Sequence, residues 1–95
     1  MLYEILLAPE AVEGLNGLRA NERARVRQAL ETHLRNEPRR VSKSRIKRLK
    51  GLSKPQYRLR VGDVRVFYDV SEDVVEVLAI VAKDDAREWL EKAGG

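Results

Sequence analysis

Arg58, Arg60 and Arg65 fall within eight residues of one another in the run Tyr57-Arg58-Leu59-Arg60-Val61-Gly62-Asp63-Val64-Arg65-Val66-Phe67-Tyr68. A guanidinium group is a planar fork of donors that can chelate two oxygens of one phosphate. Three held on one surface would suit phosphodiester recognition. Arg58 and Arg60 are two residues apart, so in a strand they share a face. Arg65 joins them through the turn. Gly62-Asp63 is a two-residue loop with glycine in the first central position, which suits a type II′ hairpin. That turn sets Val61 opposite Val64, Arg60 opposite Arg65, Leu59 opposite Val66, Arg58 opposite Phe67 and Tyr57 opposite Tyr68. Two arginines directly opposed are destabilising in a sheet, and an anion lying over them removes the conflict. Tyr57 and Tyr68 face the other side and read as core.

The remaining chemistry-bearing types are sparse. His33 is the only histidine and cysteine is absent, so disulfides and thiolate metal sites are excluded and zinc is disfavoured. His33 falls on an apolar helical stripe and reads as a packed, satisfied side chain. No cofactor and no metal are expected. A 95-residue chain makes one small domain, 1–95, that buries about 60–65% of its unfolded surface and has no room for a deep cofactor cavity. No apolar run approaches the length of a membrane span and no signal peptide is visible, so a cytoplasmic location is the default reading.

The formal charge of +4 conceals an asymmetry. Residues 39–65 hold eleven Lys or Arg and one acid, Asp63, for +10, while the other residues hold eight bases and fourteen acids, for −6. Lys43, Arg45, Lys47, Arg48, Lys50 and Lys54 form the basic connection before the hairpin. Alone, such a run reads equally well as a solvated surface. Beside the arginine hairpin it points to a polyanion, nucleic acid above all.

The surrounding pattern supplies the elements that must position these residues. Leu2–Leu7 reads as a strand, apolar on both faces and so well buried. Pro9 opens a first helix to about residue 18, with Ala11, Val12, Leu15 and Leu18 at helical spacing and Gly14 and Gly17 weakening it. Asn21 is the candidate N-cap of a second helix to about Asn36, whose buried stripe is Val26, Ala29, Leu30, His33 and Leu34. Arg25 falls on its outer face. Ile46 and Leu49 are positioned to dock a short extended piece. The hairpin spans 56–61 and 64–70, and Val74–Ala82 has the apolar continuity of an interior strand. Ala86, Trp89, Leu90 and Ala93 space as a short helix anchored by Trp89, with Asp85 as cap and Glu88 three residues on. The order β-α-α-β-β-β-α gives an α+β fold: a small curved, mainly antiparallel sheet with the helical hairpin on one face. The arginine face should be the open one, because burying three unpaired guanidinium groups is prohibitive.

At this point the chain resembles the RelE/ParE family of toxins from toxin–antitoxin modules. The likeness is carried by Arg48-Leu49-Lys50-Gly51-Leu52 and by Tyr57 through Tyr68, with support from the N-terminal strand, the helical hairpin and the Val74–Ala82 strand. It covers nearly the whole chain. The resemblance implies a RelE-like fold and a cognate antitoxin, RelB-like or Phd/YefM-like, that wraps the toxin. It also implies operator DNA binding through the antitoxin complex. Many such toxins are ribosome-dependent mRNA endonucleases. That branch uses basic residues on the first hairpin strand, matched by Arg58 and Arg60, and an arginine on the second, matched by Arg65. A basic residue usually follows the last strand, matched by Lys83. The next position is Asp84, and the tyrosine usual in the terminal segment falls near Trp89 or Leu90.

Cleavage of the family type needs no metal. It requires a base for the 2′-hydroxyl, cations for the phosphorane-like charge and an acid for the 5′-oxygen. The arginines can supply cations but not the base, because a guanidinium holds its proton. Lys83 is the candidate base or acid, with Asp84, Asp85 and Glu88 as alternatives that also suit capping or surface ion pairs. The leading expectation is an mRNA interferase contacting ribosome and mRNA through the basic connection. The alternative is a non-catalytic protein, either a ParE-like gyrase poison or a degenerate toxin acting through antitoxin and operator.

Overall fold

In this computed structural model, which describes residues 2–52 and 54–94, the turn at Gly62-Asp63 sets the frame. Residues 1, 53 and 95 of the expected 1–95 domain lie outside the described residues. Gly62 has φ +57°, a left-handed value that glycine takes freely and other residues resist. It joins β3 (Tyr57–Val61) to β4 (Val64–Ser71). All five expected cross-strand pairs form, from Tyr57–Tyr68 to Val61–Val64. β5 (Val74–Ala82) pairs antiparallel with β4, and the register slips between Phe67 and Tyr68, leaving Leu78 without a partner.

Two further strands complete a five-stranded sheet of order β1-β5-β4-β3-β2. β2 (Ile46–Arg48) is the docked piece; it pairs antiparallel with β3 through Ile46–Leu59, Lys47–Arg58 and Arg48–Tyr57. β1 (Glu4–Leu7) pairs parallel with β5. The expectation that β1 is well buried is corrected. It lies at the sheet edge with one neighbouring strand, and Leu6 is 48% exposed.

One face of the sheet carries the helices. α1 (Pro9–Asn16) begins at Pro9, where a missing N–H costs nothing. α2 (Ala20–Ala29) continues through a π-helical turn, Leu30–Leu34, closed by the Arg35 N–H donating to the Leu30 carbonyl at 3.1 Å. Asn21 is not the cap. Arg19 occupies that position without a side-chain capping bond, and Asn21 lies in the first turn. The junction is instead held by Arg23, which donates to the carbonyls of Leu15 (3.3 Å) and Leu18 (2.8 Å). The Leu15 carbonyl also accepts from the Leu18 N–H at 3.2 Å, so Arg23 adds a second donor at the end of α1, where helical carbonyls run short of partners.

The core lies between this layer and the sheet. Ala11, Leu15, Val26, Leu30 and Leu34 pack with Leu59, Val66, Tyr68, Val75, Val77 and Ile80. Tyr57 and Tyr68 stack within it, ring centroids 5.3 Å apart, and the Tyr68 hydroxyl donates to the Pro38 carbonyl at 2.7 Å. α1 approaches β5 so closely that a Cβ at Gly14 would lie 2.1 Å from the Ile80 carbonyl oxygen. Glycine is a packing requirement there.

α3 (Ala86–Gly94) follows a 3-10 turn, Lys83–Asp85. Asp85 therefore sits inside the turn that feeds the helix. Trp89 stacks on Phe67 with centroids 4.8 Å apart and an angle of 11°, and its indole N–H donates to Glu10 Oε2 at 2.7 Å. Phe67 is opposite Arg58, so α3 partly covers the face expected to be open.

Candidate nucleic-acid interface

The hairpin register brings Arg58, Arg60 and Arg65 onto one face, and β2 adds a fourth cation by setting Lys47 opposite Arg58. The three arginines are held differently. Arg65 is only 9% exposed, and its Nη1 donates to the carbonyls of Gly62 (2.9 Å) and Val64 (3.1 Å). Its guanidinium is fixed against the turn. Arg60 is exposed. Arg58 is half-buried, with its Nε buried and without a hydrogen-bond partner. Burial, then Arg65 and Arg60, holds the Arg58 guanidinium below its ordinary value.

Among the described residues, no carboxylate forms an ion pair with any of the three. A cluster of like charges with one buried, unsatisfied donor is costly in the free protein. An oxyanion placed over it would relieve both the repulsion and the missing hydrogen bond.

Lys83 is exposed and stands at the hairpin end of the sheet. Its backbone N–H donates to the Asp63 carbonyl at 2.7 Å, and the preceding Ala82 pairs with Val64. Asp84, Asp85 and Glu88 are exposed, and Glu88 pairs with Lys92 at 3.1 Å. The basic connection divides. Lys43 and Lys50 are exposed. Arg48 lies over the Tyr57 ring, 5.0 Å from its centroid. Lys54 sits 3.9 Å from Asp69 and 3.8 Å from Glu76. Only Lys47 joins the arginine face by register, and Arg45 turns to a cleft beside it.

That cleft lies between α2 with its π-turn and the β2–β3 edge. His33 lines it, half-buried and with no side-chain hydrogen bond among the described residues. The reading of His33 as a satisfied core side chain is therefore corrected. The π-turn widens the helical repeat here, and His33 stands at the margin of a stripe whose members Val26, Leu30 and Leu34 remain in the core. Burial, then Arg45, lowers the His33 pKa below 6.5. Arg25 was also missed, since helical spacing places it outward. Its Nη1 reaches within 3.7 Å of where a Gly62 side chain would begin. No sequence signal marks that approach, which depends on how α2 packs over the hairpin. Among the described residues, no group of three or more His, Cys, Asp or Glu is arranged to hold a metal ion.

Residues 5–86 match the family model described as the ParE toxin of the type II toxin–antitoxin system parDE. In a RelE–RelB complex from Pyrococcus horikoshii OT3, the similar chain is 27% identical, with TM-score 0.71 over 87% of this chain and 97% of that one. The toxin–antitoxin complex RelBE2 from Mycobacterium tuberculosis contains a chain 23% identical, with TM-score 0.74 over 86% and 99%. A mutant of the Escherichia coli toxin RelE in the free state is 23% identical, with TM-score 0.72 over 98% and 95%. The last two likenesses establish the fold. No curated protein matches this chain.

Proposed function

Because the chain belongs to the RelE/ParE family of type II toxin–antitoxin toxins, we propose that it is a ribosome-dependent mRNA endonuclease held in check by a RelB-like antitoxin. The observation that carries the reading is the uncompensated arginine face, above all the buried, unpartnered Arg58 Nε.

In the proposed reaction the 2′-hydroxyl of one nucleotide attacks the adjacent phosphorus. Its proton passes to a base, the bond from phosphorus to the 5′-oxygen breaks, and an acid protonates that oxygen. The products are a 2′,3′-cyclic phosphate and a 5′-hydroxyl. Arg58 and Arg60 stabilise the added charge at phosphorus. Arg65, tied to the turn, contributes its fixed field, and Lys83 is the candidate for proton transfer. Messenger RNA and the ribosome are the partners, with Lys43, Arg45, Lys47, Arg48, Lys50 and Lys54 contacting RNA phosphates.

A second reading is a non-catalytic toxin that acts on gyrase. It is favoured by the match to a ParE model and by Arg65 being engaged with backbone carbonyls. Primer extension on programmed ribosomes separates the two. Wild type is expected to cleave mRNA in the A site, and Arg60→Ala, at an exposed position, to lose about 100-fold or more in rate, the scale of one transition-state donor. No cleavage by folded, antitoxin-free protein, with inhibition of gyrase supercoiling, would overturn the nuclease reading.

A further inference from the structure

The cleft beside the hairpin consists of two adjoining cavities of about 450 and 470 Å³ that share Thr32, His33 and Arg45. Together they form a trough along the β2–β3 edge. Its inner half is lined by Arg25, Arg45, Arg60, His33, Gln28 and Thr32, with no carboxylate among the lining residues. None of the three arginines forms an ion pair among the described residues. In the outer half the one acid, Glu37, is bound to Arg40 at 2.9 Å. Arg60 belongs to both places: it opposes Arg65 on the hairpin and lines the trough.

We propose that this trough is a second phosphate subsite, holding the phosphodiester backbone of single-stranded RNA where the strand passes beyond the hairpin arginines. His33 is the one ring among the lining residues, half-buried and with no phenyl, phenol or indole beside it, so the trough offers a poor platform for stacking successive bases and suits the backbone, which positions a strand without reading its sequence. An acidic peptide is the poorer fit, because peptide grooves need apolar anchor pockets and the inner half offers only Ala29 and Val61. The subsite rests on the RNA-binding reading above and extends it to Arg25 and His33.

The test is binding of a fluorescent, 2′-O-methylated hexanucleotide, which cannot be cleaved, to the whole chain. Arg25→Ala/Arg45→Ala is expected to weaken binding about tenfold and to flatten the salt dependence by about one contact or more, at roughly 0.7 log units per contact for single strands. Arg27→Ala removes one charge from the same helix outside the trough and should change affinity less than about twofold. Circular dichroism melts check that each variant is folded. Because the chain has one histidine, its imidazole NMR signals report on the trough directly and should move when the oligonucleotide is added.

Unchanged binding by the double variant, or equal weakening by Arg27→Ala, would overturn the proposal. So would His33 signals that respond to ATP or to an acidic peptide but not to the oligonucleotide; ATP would assign the site to free nucleotides, the peptide to a protein partner. Oligonucleotide binding that depends on Arg25 and Arg45, without any mRNA cleavage, would leave the subsite standing and the nuclease reading fallen. Cleavage with trough variants that bind like wild type would do the reverse.

Discussion

Arg60 and Arg65 stand opposite each other and have the same chemistry, but different surroundings divide their roles. Arg65 is buried against the Gly62 and Val64 carbonyls, so its loss removes two hydrogen bonds and leaves acceptors short of partners. Arg65→Ala should lower stability by about 1–3 kcal/mol, whereas Arg60→Ala, exposed, should change it by less than about 0.5 kcal/mol. Urea unfolding of the two variants checks this, and equal losses would refute the division. An activity defect in Arg65→Ala thus needs a stability measurement beside it. Strand periodicity places both arginines on one face but says nothing about which side chain folds back on the turn. His33 carries a pH prediction. Its pKa lies below the 6.5 of an unfolded chain, so the folded state binds its proton less readily. Its stabilising contribution is then complete above pH 6.5 and lost as pH falls through 6.5 toward the lowered value. Arg45, Arg25, Arg60 and Arg40 line the cavities around it and Glu37 is the one opposing charge. Urea melts at pH 7.5 and 5.5 should show wild type losing more stability than His33→Gln; a parallel loss in both would show that His33 is not responsible.

Among the elements, α1 and the hairpin illustrate opposite limits of local reasoning. Gly14 reads from sequence as a weakness in α1, and replacing it by alanine should gain about 1 kcal/mol of helix propensity. Its position against the Ile80 carbonyl reverses the sign. A methyl group 2.1 Å from a backbone oxygen forces the helix off the sheet, and overpacking of this kind costs about 1–3 kcal/mol. Gly14→Ala is expected to be net destabilising by denaturant unfolding, and a stabilised variant would refute the close approach. The hairpin register was readable because glycine in a two-residue loop fixes pairing within a short segment. The three helices, the docked piece at Ile46 and the interior strand Val74–Ala82 were readable for the same local reason. The edge position of β1 was not, because its partner begins about seventy residues away. The π-turn and the turning of Arg25 toward Gly62 also escaped, since both depend on packing rather than spacing.

For the whole molecule, charge and topology act separately. The excess of base in residues 39–65 is laid out on β2, β3, the start of β4 and the preceding connection, so one end of the sheet presents the cationic face and trough. The acids lie mostly elsewhere, among them Asp69 and Glu76 near Lys54 and Glu10 beneath Trp89. Topology has a further effect. β1 is made about seventy residues before β5, yet it pairs only with β5, where Glu4 aligns with Val74 and Leu7 with Val77. Tyr3 is tied to Arg35, and α1 packs on Ile80. Contacts of such sequence separation form late. While a ribosome is still translating this chain, the strand that seals its core does not yet exist, and neither does the position of Lys83 beside the hairpin turn. The nascent chain therefore completes its core, and with it the cationic site beside the hairpin turn, only after β5 has left the exit tunnel.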